Sequence, residues 1–408
     1  MNSITIRHIP SLDGIRAVAA GIVFLSHAFN VPFIPSSLGV TVFFFLSGYL
    51  ITTLLRVEYA KSGTIDLKAF YIRRACRIFP PMYFALLSIL LITLMTSGAD
   101  AIHGEALLAQ MAHLTNYFIV LAGSDQQLLP HTAVLWSLAV EEHFYLAFPL
   151  LFLVLSRRMP LHAIRSVLFA MCMVALLWRF ILVYGFDVPD MHIFFATDAR
   201  FDSLLYGCIM GVWCNPVLDF AAADGAGSTP TGAEKTLLAA ALLLLAATLL
   251  YREPGFHKTL RYSLEGIALF PLFWLAVRYP GYPLFRCLNW APVRWFGGIS
   301  YSFYLAHPFW IAIAHRVTSG VAGAILASLP LTSLLAMIWL YVDTRDPERV
   351  AALATGIFWL ILPSLTLLFA FPLLLRRGVP FWPSLLLGIL LAMNALAIII
   401  RNRYQQRW

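Results

Sequence analysis

The sequence predicts an all-α, polytopic integral membrane protein, and three observations carry that prediction. Of its 408 residues, 61% are hydrophobic and only 12% are charged, whereas a soluble domain carries roughly a quarter charged residues. Mean hydropathy is +0.81. Apolar runs of about 17 residues or more, long enough to cross a bilayer as a helix, recur from one end to the other. The alternating ten-residue segments of a transmembrane β-barrel are not found.

The runs place candidate helices at 15–31, 38–55, 79–96, 106–122, 134–155, 165–184, 201–214, 236–251, 262–278, 298–316, 321–342, 351–375 and 379–400. The first begins after Arg7 and His8 like a signal peptide, but no small-residue cleavage site follows, so it is read as helix 1. The loop after the second candidate holds Arg56, Lys61, Lys68, Arg73, Arg74 and Arg77 against Glu58 and Asp66. The positive-inside rule makes that loop, and with it the N-terminus, cytoplasmic. The next basic loop, "RRMPLHAIR" at 157–165, falls on the same side only if 106–122 does not cross completely. That segment is short and interrupted by Gln110, His113 and Asn116, so a re-entrant or interfacial helix is expected there. The expected total is ten to thirteen spans. Residues 215–235 have the composition of a flexible linker.

Charge and cysteine usage exclude several classes. The net charge of +8 is accounted for by basic cytoplasmic loops, and no basic run is interleaved with exposed aromatics, so nucleic acid is not an expected partner. Cys76, Cys172, Cys208, Cys214 and Cys287 are scattered, without CxxC or Cys/His ligand spacing. Neither a metal nor a disulfide framework is expected.

Polar residues inside the apolar runs point to chemistry, because a charge at the bilayer centre costs around 2.5–3.5 kcal/mol on insertion scales. In helix 1, Arg16 and His27 are about three helical turns apart on nearly one face, roughly 16 Å along the axis. Arg16 is expected near the cytoplasmic face and His27 near the outer one. In "WSLAVEEHFYL" (136–146), Glu141, Glu142 and His143 lie a few residues inside a helix that enters from outside, at about the depth of His27. A carboxylate beside a histidine raises its basicity, as general bases require. An interhelical ion pair would use the same residues.

Arg74 and Arg77 in "YIRRACRIFPP" (71–81) are three apart and share a helix face. They read either as a membrane-edge anchor or as a phosphate site, since the planar guanidinium fork suits phosphates. "FATDARFDSLLYG" (195–207) brings Asp198, Arg200 and Asp202 to the outer start of a helix, as an ion pair or a substrate site. "GGISYSFYLAHPF" (297–309) adds Ser300, Tyr301 and His307, whose polar groups also serve ordinary interhelical hydrogen bonding.

Taken in order, these pieces resemble the membrane-bound acyltransferase-3 family. Its Arg-x10-His pair in helix 1 is matched by Arg16 and His27, and its "GVDLFFVLSGFLI" signature by "GVTVFFFLSGYLI", Gly39 to Ile51. Its Arg-x-x-Arg is matched by Arg74 and Arg77, its "WSLxVEEQFYL" block by Trp136 to Leu146 and its "RxDxLLxG" by Arg200 to Gly207. "ISYSxYLxHP" is matched by Ile299 to Pro308. Three departures stand out. Thr41 replaces the usual Asp of the helix 2 signature, His143 replaces Gln, and "YVDTRDPERV" (341–350) leads into two further hydrophobic segments. The expected organisation is an acyltransferase-3-like membrane domain at 1–342 and a two-helix hydrophobic extension at 343–408. The periplasmic esterase-like domain of some members is not expected.

The resemblance implies a helical bundle around a transmembrane acyl-CoA tunnel, in the inner membrane of a bacterium. It implies transfer of an acyl group, usually acetyl, from cytoplasmic acyl-CoA to a carbohydrate or glycolipid acceptor among membrane lipids. In that reading His27 is the general base, oriented by Glu141 or Glu142, with Glu141 preferred. Arg74 and Arg77 dock the donor phosphates and Arg16 attracts the entering chain. Ser137, Ser300 and Tyr301 are oxyanion donors; Asp198, Arg200, Asp202 and His307 are substrate-binding candidates. A transient acyl-histidine is the mechanistic alternative. A proton-coupled transporter of a small polar solute would also bury Arg, His and Glu in a bundle, but no internal repeat supports it.

Overall fold

A computed structural model describes residues 9–29, 36–220 and 229–317, and its regular elements are helices. In chain order they are α1 (Pro10–Phe29), α2 (Ser36–Ser62), α3 (Leu67–Ser97), α4 (Gly104–Met111), α5 (Thr115–Ala122), α6 (Leu135–Arg158) and α7 (Leu161–Phe180). These are followed by α8 (Asp190–Phe195), α9 (Thr197–Val212), α10 (Gly232–Leu250), α11 (Pro254–Lys258), α12 (Leu260–Arg278), α13 (Pro283–Arg286) and α14 (Ala291–Val317). Among the described residues, seven helices are long and apolar enough to cross a membrane. The chain is an integral membrane protein of the all-α class. The candidate spans at 321–342, 351–375 and 379–400, and with them the 343–408 extension, lie outside the described residues.

Helix ends depart from the apolar windows in one systematic way. The basic loop expected at 56–79 is mostly helix: α2 runs on to Ser62, and α3 starts at Leu67 behind Asp66, whose carboxylate accepts from the Ala69 amide at 2.9 Å. Only a short turn remains, with Gly63 at φ 70°, where glycine carries no Cβ penalty. Hydropathy measures the apolar length of a helix, whereas the hydrogen-bond ladder continues through charged residues once it is in water.

The segment expected not to cross is divided in two. His113 has φ 57° and ends α4 before α5 begins. Each half has 8 residues and reaches only about 12 Å, against a hydrocarbon core of about 30 Å.

The described residues fall into two compact units. The first is drawn from within Met1–Ile65, Asn116–Gly123 and Trp136–Ser300, the second from within Asp66–Thr115, Ser124–Leu135 and Tyr301–Trp408. In the first, α2 and α9 touch backbone to backbone. A Cβ on Gly48 would overlap the Leu204 carbonyl, and one on Gly207 would overlap the Phe45 carbonyl. One helical turn further, a Cβ on Gly211 would stand 2.7 Å from the Thr52 Cβ. Small residues four apart permit this close crossing in a bilayer, where packing rather than water exclusion holds helices together. At the far end of α2, Asn215 bonds Tyr49 and Thr53, and Asp219 forms an ion pair with Arg56. The turn after α9 is thereby fastened to α2.

In the second unit, α4 is fixed to the segment before α6. Gln110 donates to the Thr132 hydroxyl at 2.5 Å and accepts from the Leu129 amide at 3.4 Å. The Tyr83 hydroxyl on α3 donates to the Met111 carbonyl at 2.9 Å.

The crossing predicts that Gly207→Val lowers stability by about 1–3 kcal/mol or more, because overpacking against a backbone carbonyl cannot relax through a rotamer. Gly104→Ala, at a site with nothing within 4 Å among the described residues, is expected to melt as wild type. Thermal unfolding of both variants in detergent checks the contrast.

Candidate functional site

Polar side chains of the first unit gather near the ends of helices that the sequence expects to face outward. Four layers can be distinguished, and each joins several helices.

The first layer is a fully buried ion pair. Arg179, near the end of α7, grips Asp202 of α9 with two bonds, Nη1 to Oδ1 at 2.8 Å and Nη2 to Oδ2 at 2.7 Å. Its remaining N–H groups donate to the carbonyls of Thr259 (3.0 Å) and Ala199 (2.8 Å) and to the Ser263 hydroxyl (2.6 Å). Ser263 passes its own proton to Asp202 at 2.9 Å. All five guanidinium donors are therefore used, the condition under which a buried charge pair is tolerated. Of the two readings of Asp202, the ion pair is the one this geometry favours. Its partner, twenty-three residues upstream in an ordinary-looking span, gave no sequence signal.

The second layer surrounds Arg200, also fully buried. Its guanidinium carbon lies 3.8 Å from the Tyr262 ring centroid. Phe44 and Trp136 are each 5.7 Å away and Phe194 is 5.8 Å away. Aromatic faces thus supply much of its counter-charge. Its hydrogen bonds are long, 3.3 Å each to the Phe194 carbonyl and the Thr41 hydroxyl, and its Nε has no hydrogen-bond partner among the described residues. Behind it, Arg261 donates from Nε to Glu265 at 2.8 Å and from Nη2 to Ser37 at 2.6 Å. Thr41 meets the other Glu265 oxygen at 2.9 Å.

The third layer is built on Glu141. Its Oε1 accepts from the Ser47 hydroxyl at 2.9 Å, and its Oε2 lies 3.1 Å from the Tyr145 hydroxyl. Tyr145 is also 3.0 Å from Ser47. Ser47 and Tyr145 lie inside the helix 2 and Trp136–Leu146 motifs but are not among the residues the sequence marks as candidates. The signal was their spacing: Tyr145 stands one turn beyond Glu141 on the same helix face. Successive residues on a helix point about 100° apart, so Glu142 and His143 leave α6 in other directions. His143 instead places Nδ1 2.7 Å from the Thr197 hydroxyl, and its ring is 5.9 Å from that of Tyr117. Ser137, two helical turns before Phe144, is buried.

The fourth layer belongs to Asp198, which accepts from Trp178 Nε1 at 2.8 Å and from Tyr117 at 3.1 Å, and lies 3.0 Å from His192 Nε2. Beside it, Asn116 donates to Thr197 at 2.9 Å. This part of the site ties α5, α7, α8 and α9 together.

Helix 1 contributes differently at its two ends. Arg16 pairs with Asp13 at 2.6 Å, one turn back. The first turns of α1 are closely packed, since a Cβ on Gly14 would overlap Leu288 and one on Gly297 would overlap the Asp13 carbonyl. His27 sits in the last turn of α1 and is exposed. Ser300 is buried in α14.

The second unit carries the other candidates. Arg74 and Arg77 lie on α3, Arg77 exposed and Arg74 half-buried with its guanidinium 5.7 Å from the Phe70 ring. The Tyr301 hydroxyl donates to the Ile78 carbonyl at 2.9 Å. His307 is buried, with Nδ1 2.7 Å from the Tyr304 carbonyl. Among the described residues no group of three His, Cys, Asp or Glu has the geometry to hold a metal ion.

The first layer yields a direct test. Asp202→Asn leaves Arg179 buried without a counter-charge and should cost about 3–5 kcal/mol. Arg179→Met combined with Asp202→Leu should cost less than the sum of the two single changes, measured as chemical unfolding of the purified protein.

Comparison with known proteins gives these layers a family. A profile described as Acyltransferase domain matches residues 9–342, and a second, described as BV97_02767-like, matches residues 304–406. The chain is similar to the O-acetyltransferase OatA of Staphylococcus aureus (strain NCTC 8325 / PS 47), 34% identical over 213 residues, 51% of this chain and 35% of that protein. It is also similar to the peptidoglycan O-acetyltransferase OatA of Listeria monocytogenes, 28% identical over 316 residues, 74% of this chain and 49% of that protein. The chain thus spans a third to a half of the length of these curated relatives. No solved structure matches it. Every motif from the helix 1 Arg16/His27 pair to the Ile299–Pro308 element falls inside the matched span, and the chain belongs to the membrane-bound acyltransferase-3 family.

Proposed function

We propose that the protein is an O-acyltransferase that moves an acyl group, acetyl in the simplest case, from acyl-CoA to a hydroxyl of a carbohydrate-containing acceptor. The observation that carries this reading is the family match across residues 9–342, which encloses all six signature elements in order. The activity named for the relatives, O-acetyltransferase and in one case peptidoglycan O-acetyltransferase, supports acetyl as the group and a glycan as the acceptor. The chain is then an enzyme of a bacterial cytoplasmic membrane, with its N-terminus inside as the basic loops require.

In this mechanism His27 accepts the proton of the acceptor hydroxyl as its oxygen attacks the thioester carbonyl. The C–O bond forms, the tetrahedral oxyanion collapses, the C–S bond breaks, and His27 returns the proton to the departing thiolate. Exposure in the last turn of α1 lets an imidazole meet a large acceptor. Glu141 or Glu142 orients the imidazole, and Glu141 is the better prepared because Ser47 and Tyr145 fix both of its oxygens. Ser137 and Ser300 are the oxyanion donors of choice. Tyr301 is less suited, since its single proton is directed at the Ile78 carbonyl. Arg74 and Arg77 offer the donor phosphates two forked cations one helical turn apart.

Two experiments test this reading. With reconstituted protein, acetyl-CoA and a glycan acceptor, His27→Ala should lower kcat by about 10²–10⁴ fold; an unchanged rate sinks the base assignment. Arg74→Ala and Arg77→Ala should each weaken acetyl-CoA binding, measured by isothermal titration, and do so less at high salt. Equal binding in the variants removes the phosphate role.

A further inference from the structure

The helix 2 signature raises a question that Arg200 answers. At position 41 the signature ordinarily carries Asp, and this chain carries Thr. Yet three guanidinium groups, Arg179, Arg200 and Arg261, are buried in one region of the first unit with two carboxylates, Asp202 and Glu265. Arg179 holds both Asp202 oxygens with two of its donors and spends the other three on Thr259, Ala199 and Ser263. The remaining carboxylate serves both Arg261 and the Arg200 side.

The protons define how it does so. Arg200 donates Nη2–H to the Thr41 oxygen at 3.3 Å, so Thr41 must send its own single proton elsewhere. Two acceptors lie within reach, the Ser37 carbonyl and Glu265 Oε2, each at 2.9 Å. A carboxylate is the stronger acceptor of the two. The other Glu265 oxygen is held by Arg261 Nε at 2.8 Å, and Arg261 is braced by Ser37 at 2.6 Å and faces His257 Nδ1 at 3.5 Å. The result is a polarised chain from Arg200 through Thr41 to Glu265.

We propose that Glu265 is a positioning residue for acyl transfer: acting through Thr41, it gives Arg200 the negative charge that an aspartate at position 41 would give directly. The carboxylate has moved from α2 to α12 while its electrostatic partner has stayed. Arg200 in turn lies against Phe44 on α2 and Trp136 on α6. One turn beyond Phe44 is Ser47, and five residues beyond Trp136 is Glu141, the pair joined at 2.9 Å. Loss of the charge behind Arg200 loosens the aromatic cage that sets those two helices in register. Glu265 touches no reacting group; it acts on Glu141 through packing. The role in transfer rests on the function proposed above, whereas the counter-charge itself does not.

The test is a charge swap on the full chain reconstituted in liposomes, assayed with acetyl-CoA and a glycan acceptor. Glu265→Gln should lower kcat by about a hundredfold, as small misplacements of catalytic groups do, while KM for acetyl-CoA changes by no more than about twofold. Thr41→Asp combined with Glu265→Gln restores the carboxylate on α2 and should recover kcat to within about fivefold of wild type, the non-additivity expected of two residues in one network. A Glu265→Gln protein as fast as wild type overturns the proposal. So does a folded double variant as slow as Glu265→Gln alone. Should Glu265→Gln not accumulate, a double variant that accumulates and transfers supports the swap, and one that accumulates without transferring refutes it. A wild type that transfers nothing overturns the proposed function instead, and is seen before any variant is compared. The counter-charge is then read from melting temperature, with Glu265→Gln below both wild type and the double variant.

Discussion

Gly48 and Gly207 let α2 and α9 meet with no side chain between them, and most of the polar architecture follows from that contact. With the Leu204 and Phe45 carbonyls occupying the space a Cβ would need, the two helices are locked at one separation and one register. α2 brings Ser37, Thr41 and Ser47 to the interface region; α9 brings Asp198, Arg200 and Asp202. At a wider separation Arg200 would not reach Thr41, already at the long end of hydrogen bonding at 3.3 Å. The glycines thus set the distance on which the buried electrostatics depend.

Around that contact the structure applies two different solutions to buried charge. Arg179 and Asp202 are neutralised pairwise, and every guanidinium donor is used. Such a pair holds α7, α9 and α12 together and leaves Arg179 no free donor. Arg200 is stabilised instead by four aromatic rings, the Phe194 carbonyl and one shared hydroxyl. That arrangement couples it to the rings it touches, so its position is transmitted to the start of α6. Glu141 stands in a third environment, engaged by the hydroxyls of Ser47 and Tyr145.

The motifs of the family therefore separate by task. In the Arg200-to-Gly207 element, Arg200 lies in an aromatic cage, Asp202 is paired with Arg179 of α7, and Gly207 admits α2. The Trp136-to-Leu146 element divides within itself, with Trp136 in the cage, Glu141 with Ser47 and Tyr145, and His143 at Thr197. Adjacent glutamates on a helix point about 100° apart, so Glu141 and Glu142 were never going to have the same neighbours.

Composition and apolar run length alone determined that this chain is helical and crosses a membrane, because a bilayer admits few backbone solutions and each leaves a long, simple signature. Motif order determined the family, and the polar interruptions marked the 106–122 segment as one that does not cross as a single helix. Local spacing, however, carries no information about which helix lies beside which. The partnership of Asp202 with Arg179, of Glu141 with Ser47, and of Thr41 with Glu265 joins residues 23, 94 and 224 positions apart. Those contacts exist because helix packing, closest at the α2–α9 glycines, brings residues distant in sequence to touching distance. Helix 2 carries Thr41 where the signature has Asp, and the tertiary structure alone decided that a carboxylate, Glu265 of α12, stands 2.9 Å from it.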